Sequence, residues 1–243
     1  MGYKTKTLIA NRKNYGSKRS TSAIKYLVYH YTANDGDTDE ANAKYFHNNV
    51  VKASAHRFVD DDSVTISVPD DYTAYHCGGG LQGKNGHKFF KICTNTNSMG
   101  IEMCDTIRNG KYEVSPKTRA NAIAEGRKIV KKYNIPKSRV IRHYDVTGKN
   151  CPAYFVKDEE AWKKFRDEIF EEEKKENTKT TVGKEKILKQ DCCLYSKKDL
   201  TGTKYTYLKN TKVKILKNIS SKVDYVQVIA TKRKAYINTK YYK

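Results

Sequence analysis

The stretch VIRHYDVTGKNCP (residues 140–152) carries an imidazole at His143, an ammonium at Lys149 and a thiol at Cys151. A β-branched run leads into His143, a polar stretch follows, and Pro152 closes the segment behind Cys151. Imidazole nitrogen and thiolate sulfur are zinc ligands. Three protein ligands leave the fourth tetrahedral position open to water, which is the arrangement of a catalytic zinc site. The competing reading is a solvent-facing loop with a buried structural cysteine.

A third ligand has to come from elsewhere. Of the histidines at 30, 47, 56, 76 and 87, His30 is the best placed: it ends the apolar run Ile24–His30, just before the turn cluster TANDGD. The spacing of His30, His143 and Cys151 is not a compact zinc-finger signature, so the residues alone leave both readings open. A further reactive group is Glu102. In SMGIEMC (residues 98–104) Met99, Ile101 and Met103 share one face of a strand and Gly100, Glu102 and Cys104 the other. A carboxylate in an apolar strand is costly to bury unless it is paired or put to use.

The elements that position these groups are legible from their ends. Ile24–His30 reads as a strand, with Tyr26, Val28 and His30 on one face. Thr38 is a helix N-cap, followed by Asp39 and Glu40 in the first turn. Arg57–Val59 and Val64–Val68 read as a hairpin around Asp60–Ser63. That turn lacks the Gly and the downstream Glu of a calcium loop. Residues 78–97 read as a long surface loop. Ser115-Pro116 opens a helix with Ile123, Val130 and Tyr133 on its apolar side. A strand over Val140–His143 leads into a polar loop, and a last helix starts near Asp158 with Trp162, Phe165 and Ile169 in one stripe. At Glu171 the apolar positions stop and a charged run, EEEKKENTKTT, begins. Beyond it lie short strand-like runs split by turns, the pattern of a small all-β barrel.

Composition narrows the partners. Hydrophobic residues make up 37% of the 243 residues and aromatics 11%, a globular balance. No apolar run approaches the ~20 residues of a membrane helix, so membrane insertion is not expected. The start, MGYKTKTLIA, has only Leu8–Ala10 as an apolar core, too little for a secretory signal, and Lys6 breaks the myristoylation pattern. The expectation is a protein made in the cytoplasm without a signal peptide. The net charge is +21, and residues 179–243, with 17 Lys and Arg against 4 Asp and Glu, hold +13 of it. Such a surface attracts polyanions: nucleic acid, anionic membrane or acidic wall polymers. No helix-turn-helix or RNA-binding motif is present, so nucleic acid is not the expected partner. The six cysteines form no C-x-x-C pair, and most read as reduced, small apolar residues.

Taken in order, YLVYHYTAN, ANAKYFHNN, SAHRFVDD, SMGIEMC and RHYDVTGKNCP resemble the zinc-dependent N-acetylmuramoyl-L-alanine amidases. These are the type 2 amidases of phage endolysins and bacterial autolysins, which share a fold with peptidoglycan-recognition proteins. The resemblance covers roughly residues 1–170. It implies an α/β fold with a central mixed sheet flanked by helices, and cleavage of the amide between N-acetylmuramic acid and the L-alanine of the stem peptide. It further implies one Zn²⁺ per catalytic domain held by His30, His143 and Cys151, with Glu102 as general base and acid and Lys149 steadying the oxyanion. Some branches carry a tyrosine near the SAHRF position. Here that residue is Ala55, which leaves the proton transfers to Glu102. Asn34, Asn42, Tyr45 and His56 lie in the matching segments, Tyr75 and His76 between two of them, and all six are candidates for lining the substrate groove. The tail resembles a bacterial SH3-like wall-binding domain through KRKAYINTKYY. The expected organisation is therefore a zinc amidase domain over 1–172, a linker over 173–182 and an SH3-like barrel over 183–243. The expected partner is bacterial peptidoglycan, with anionic wall polymers, met after release from the producing cell. A phage or prophage endolysin is the favoured context, and a non-catalytic muropeptide-binding module is the rival reading.

Overall fold

Six strands, β1 (Lys4–Thr7), β2 (Tyr26–Tyr31), β3 (Arg57–Val59), β4 (Ser63–Ile66), β5 (Ser98–Met103) and β6 (Val140–Arg142), form one sheet in the computed structural model. Their spatial order is β1-β4-β3-β5-β2-β6. All neighbours run parallel except the β3–β4 hairpin, so the sheet is mixed. The structure describes residues 3–171, 182–220 and 222–242. The chain divides into two compact units, residues 1–171 and 172–243. The linker expected over 173–182 lies, apart from Val182, outside the described residues.

Five helices accompany the sheet: α1 (Asp39–Asn48), α2 (Pro116–Tyr133), α3 (His143–Thr147), α4 (Ala153–Lys157) and α5 (Glu159–Phe170). Each long helix starts at a side-chain cap that satisfies an otherwise orphaned backbone N–H. Thr38 accepts from Ala41 N at 3.1 Å, Ser115 from Thr118 N at 3.1 Å and Asp158 from Ala161 N at 2.9 Å. Asn134, at φ 52°, ends α2 in the left-handed region, where Asn costs less than most residues.

One face of the sheet, with Leu27 and Tyr29 of β2 and Met99, Ile101 and Met103 of β5, is buried against Ala122, Ile129, Trp162 and Phe165 of α2 and α5. Gly126 makes this contact close. A Cβ there would lie 1.9 Å from the Tyr29 hydroxyl, which donates to Ala122 O at 3.0 Å. The opposite face carries Tyr26 and Val28 against Cys77, Cys93 and Val146, and this face leads to His30.

Several expectations need correction. The last strand of the sheet ends at Arg142, and His143 opens helix α3 where a strand end and a polar loop were expected. The reason is local: the Asp145 carboxylate accepts from Arg142 N at 2.8 Å and Nε at 3.1 Å, and so nucleates a turn. The edge strand β1 and the short helix α4 carry no periodic pattern and escape a sequence reading. Residues 78–97 lie in part against the core. Cys93 is buried, and backbone bonds from Gln82, His87 and Phe89 reach Thr147, Tyr144 and Asp145 of α3.

Among the described residues the second unit is built on β-strands. Strands β7 (Glu185–Ile187), β8 (Cys192–Tyr195), β9 (Lys204–Tyr207), β10 (Lys212–Asn218), β11 (Val223–Val228) and β12 (Lys234–Asn238) form an antiparallel sheet in the order β7-β10-β11-β12-β8-β9. Its core contains Leu188, Leu194, Val213, Ile215, Val226 and Ile237. Buried Asp224 accepts from the Tyr242 hydroxyl and from Asn218 Nδ2.

Candidate metal centre

Strand register assembles the site. In the parallel β2–β5 pair His30 lies opposite Glu102. In the parallel β2–β6 pair Arg142 lies opposite Tyr29, which brings His143 level with His30 on the far side. Glu102, His30 and His143 thus stand in a row at the carboxyl ends of three adjacent parallel strands, the edge of an α/β sheet where ligands characteristically bind. Cys151 returns to this row because Tyr144 N donates to Cys151 O at 3.0 Å. The intervening turn is fixed by Arg142, which reaches Asp145 Oδ1 at 2.9 Å, Glu159 Oε2 at 2.7 Å and Phe155 O at 2.8 Å.

His30, His143 and Cys151 are all buried, and their ligand atoms lie within 4.8 Å of one another. Among the described residues they are the one group of three or more metal-capable side chains that converges in this way. Cys151 Sγ is 3.8 Å from His30 Nδ1, the His30 and His143 ring centroids are 4.8 Å apart, and Glu102 Oε1 is 4.0 Å from His30 Nδ1. Zn–N and Zn–S bonds of ~2.0–2.3 Å place tetrahedral ligand atoms roughly 3.5 Å apart, so this group closes on an ion with a small inward movement. Two buried atoms at the centre, His143 Nε2 and Glu102 Oε2, have no hydrogen-bond partner. An orphaned ring nitrogen beside a thiol and a second imidazole is costly unless an ion satisfies it.

The electrostatics agree with that fit. Burial, then the neighbouring His143 and His76, lowers the His30 pKa well below its ordinary value. Burial and Lys149 lower that of His143 to about 3. Both imidazoles are therefore neutral at physiological pH, with lone pairs available. Burial, reinforced by Glu102, raises the Cys151 thiol pKa. Burial also lifts Glu102 to about 8, although Lys149 opposes the shift. A divalent cation in the centre reverses the last two directions, stabilising thiolate and carboxylate. The residues present fit zinc.

The family model described as N-acetylmuramoyl-L-alanine amidase (Amidase_2) matches residues 20–154, more than half of the chain. The chain belongs to this enzyme family. A probable N-acetylmuramoyl-L-alanine amidase of Bacillus licheniformis is 32% identical over 152 residues, covering 61% of this chain and 42% of that protein. The match thus spans about two fifths of that relative's length. Among solved structures, a mutant endolysin from Bacillus subtilis is 26% identical with a TM-score of 0.54, covering 69% of this chain and 99% of that one. The PlyG catalytic domain is 27% identical with a TM-score of 0.54, covering 68% and 93% respectively.

Beside the candidate centre lies a cleft of about 590 Å³, a size that suits a small-molecule or peptide ligand. Glu102 and Lys149 line it together with Asn34, Asp37, Asn42 and Tyr45. Asn34, Asn42 and Tyr45 were expected in a groove on sequence grounds, and Tyr45 is 52% exposed. Asp37, Tyr31 and Thr32 also line the cleft. They sit in a segment that reads as strand end and turn, with no signal of a role.

His56, Tyr75 and His76 do not line this cleft. His56 is fully buried, its Nδ1 accepting from Gly100 N at 3.0 Å. His76 lies behind His30, with its Nδ1 3.0 Å from His30 Nε2. The Tyr75 ring faces Gly16.

Proposed function

We propose that this chain is a zinc-dependent peptidoglycan hydrolase that cleaves the amide between N-acetylmuramic acid and the L-alanine of the stem peptide. The observation that carries the reading is the convergence of His30, His143 and Cys151 at the sheet edge, with Glu102 beside them and the buried His143 Nε2 unsatisfied. The three side chains would hold the ion. Zinc, when bound, supplies Lewis acidity that activates water and polarises the scissile carbonyl. Glu102 Oε2, which has no protein partner, takes a proton from the attacking water and delivers it to the departing alanine nitrogen. Burial raises its proton affinity, which favours the return step. Lys149, exposed at the mouth of the cleft, offsets the negative charge growing on the carbonyl oxygen. The cleft walls, through Asn34, Asn42 and Tyr45, contact the glycopeptide.

In this proposal residues 1–172 are the catalytic domain, 173–182 the linker and 183–243 an SH3-like domain that retains the enzyme on wall polymers. Its context is a phage or prophage endolysin reaching the wall after release. The test is digestion of purified wall with and without a chelator, with the new ends identified by mass spectrometry. Chelator-sensitive release of stem peptides that begin with L-alanine is the expected result. New reducing sugars would instead mean a glycosidase, and no cleavage would mean a muropeptide-binding module.

A further inference from the structure

Behind the centre lies a line of side chains with no part in the proposed chemistry. His30 Nε2 is 3.0 Å from His76 Nδ1, His76 Nε2 is 3.1 Å from Ser98 Oγ, and Ser98 Oγ is 2.6 Å from Thr94 O. We infer that His76 and Ser98 are positioning residues that fix the tautomer of His30 and thereby tune the metal affinity of the centre. The inference rests on the zinc reading above.

The direction of the line is set at its far end. A carbonyl oxygen only accepts, so the Ser98 hydroxyl hydrogen points at Thr94 O. Ser98 Oγ then has lone pairs left, and it accepts from His76 Nε2–H; Cys77 Sγ, 3.5 Å away, is a second neighbour of the same oxygen. A neutral imidazole protonated on Nε2 has its lone pair on Nδ1, and that atom faces His30 Nε2. His30 therefore carries its hydrogen on Nε2 and presents the Nδ1 lone pair toward Cys151 Sγ and Glu102. The opposite tautomer of His30 would face two lone pairs at 3.0 Å. Relieving that clash means moving the His76 proton to Nδ1 and turning the Ser98 hydroxyl toward His76, which gives up its 2.6 Å bond to Thr94 O and leaves that oxygen only the longer bond from Asn97 N at 3.2 Å. Metal-binding histidines commonly have their second ring nitrogen held in this way.

The relay is also held mechanically. Asn95 Oδ1 accepts from both His76 N at 3.1 Å and Cys77 N at 2.9 Å. The His76 ring lies against the β5 backbone at Gly100, where a Cβ would come within 2.7 Å of the ring. Any other residue at 100 would push the imidazole away from His30.

The test uses the full chain, stripped of metal, with ¹⁵N NMR of the histidine rings and a zinc titration against a competing chelator. Wild type is expected to show His30 and His76 both protonated on Nε2. His76→Ala is expected to weaken zinc binding by about 10–100-fold, Ser98→Ala by less, and His76→Asn, whose Oδ1 replaces the Nδ1 acceptor, by less than about threefold. Equal loss in both His76 variants would mark a packing role alone and overturn the relay, as would an Nδ1-protonated His30 in wild type. If His76→Ala does not fold, Ser98→Ala decides: zinc affinity and His30 tautomer both unchanged would sink the inference. A wild-type chain that takes up no zinc would defeat the zinc reading, while the tautomer measurement would still judge the relay.

Discussion

His30, His143 and Cys151 leave the proposed centre no spare ligand, because every other imidazole nearby is occupied. His76 bonds to His30, and His56 accepts from the Gly100 amide. His143→Ala and Cys151→Ala are therefore each expected to lose most bound zinc and all wall lysis. Metal analysis of the purified variants checks this, and full occupancy in both would mean the ligands are misassigned. Glu102 asks for a different substitution. Glu102→Gln keeps size and hydrogen bonding but cannot accept a proton. Zinc content and thermal unfolding are expected to stay near wild type, while turnover falls by ~10²–10⁴, the usual loss of a general base. Near-normal turnover would transfer the proton step to another group.

At the scale of elements, the hairpin carrying β3 is tied to α2 through an ion network that runs from buried Arg57 and Glu125 to the surface at Lys132. Arg57 Nε meets Glu125 of α2 at 3.0 Å, and Arg57 Nη2 meets Asp70, which also accepts from the Tyr133 hydroxyl and from Lys132 Nζ at 2.9 Å. Burial alone would raise the Asp70 pKa, but Arg57 and these hydrogen bonds outweigh it and hold the carboxyl well below its ordinary value. A depressed carboxylate pKa stabilises the fold above its unfolded value, and that stabilisation is lost as pH falls toward the folded value. Asp70→Asn is thus expected to cost on the order of 2 kcal/mol at neutral pH, with the gap to wild type closing below about pH 4. Urea unfolding at a series of pH values reads this out, and a gap independent of pH would contradict it. Such networks explain what a sequence reading sees and misses. Caps at Thr38, Ser115 and Asp158 and the alternation around Glu102 are local, and they are legible. The partner of each strand is not: that His30 lies opposite Glu102 and one step from His143 follows from pairing across some 70 and 110 residues. His76 shows the same limit. The sequence offers it as a candidate for lining the groove, and only the bare backbone of Gly100 lets it sink behind His30.

At the scale of the whole molecule, the two units have separate cores. The first is built on Leu27, Tyr29, Ile101, Trp162 and Phe165, and the second on Leu194, Val213, Ile215 and Val226. The candidate centre and its cleft draw only on residues before 152. Cutting the chain after Thr181 is therefore expected to leave zinc content and hydrolysis of small soluble muropeptides close to those of the full chain. Attachment to intact walls should drop, because the removed residues 182–243 carry 16 Lys and Arg against 4 Asp and Glu. Salt separates charge from specific recognition. Attraction between exposed charges weakens as the Debye length shrinks from ~10 Å at about 0.1 M to ~3 Å at about 1 M, whereas a pocket that recognises a wall component holds on. Residues 182–243 fused to a fluorescent reporter should decorate cells in low salt. Labelling that survives high salt would identify a specific ligand for the β7–β12 sheet, and labelling that disappears would identify electrostatic adhesion to anionic polymer. A fusion that binds in neither condition, or a truncated enzyme inactive on soluble muropeptide, would remove the wall-targeting role and leave the second unit as an integral part of the catalytic fold or an oligomerisation element.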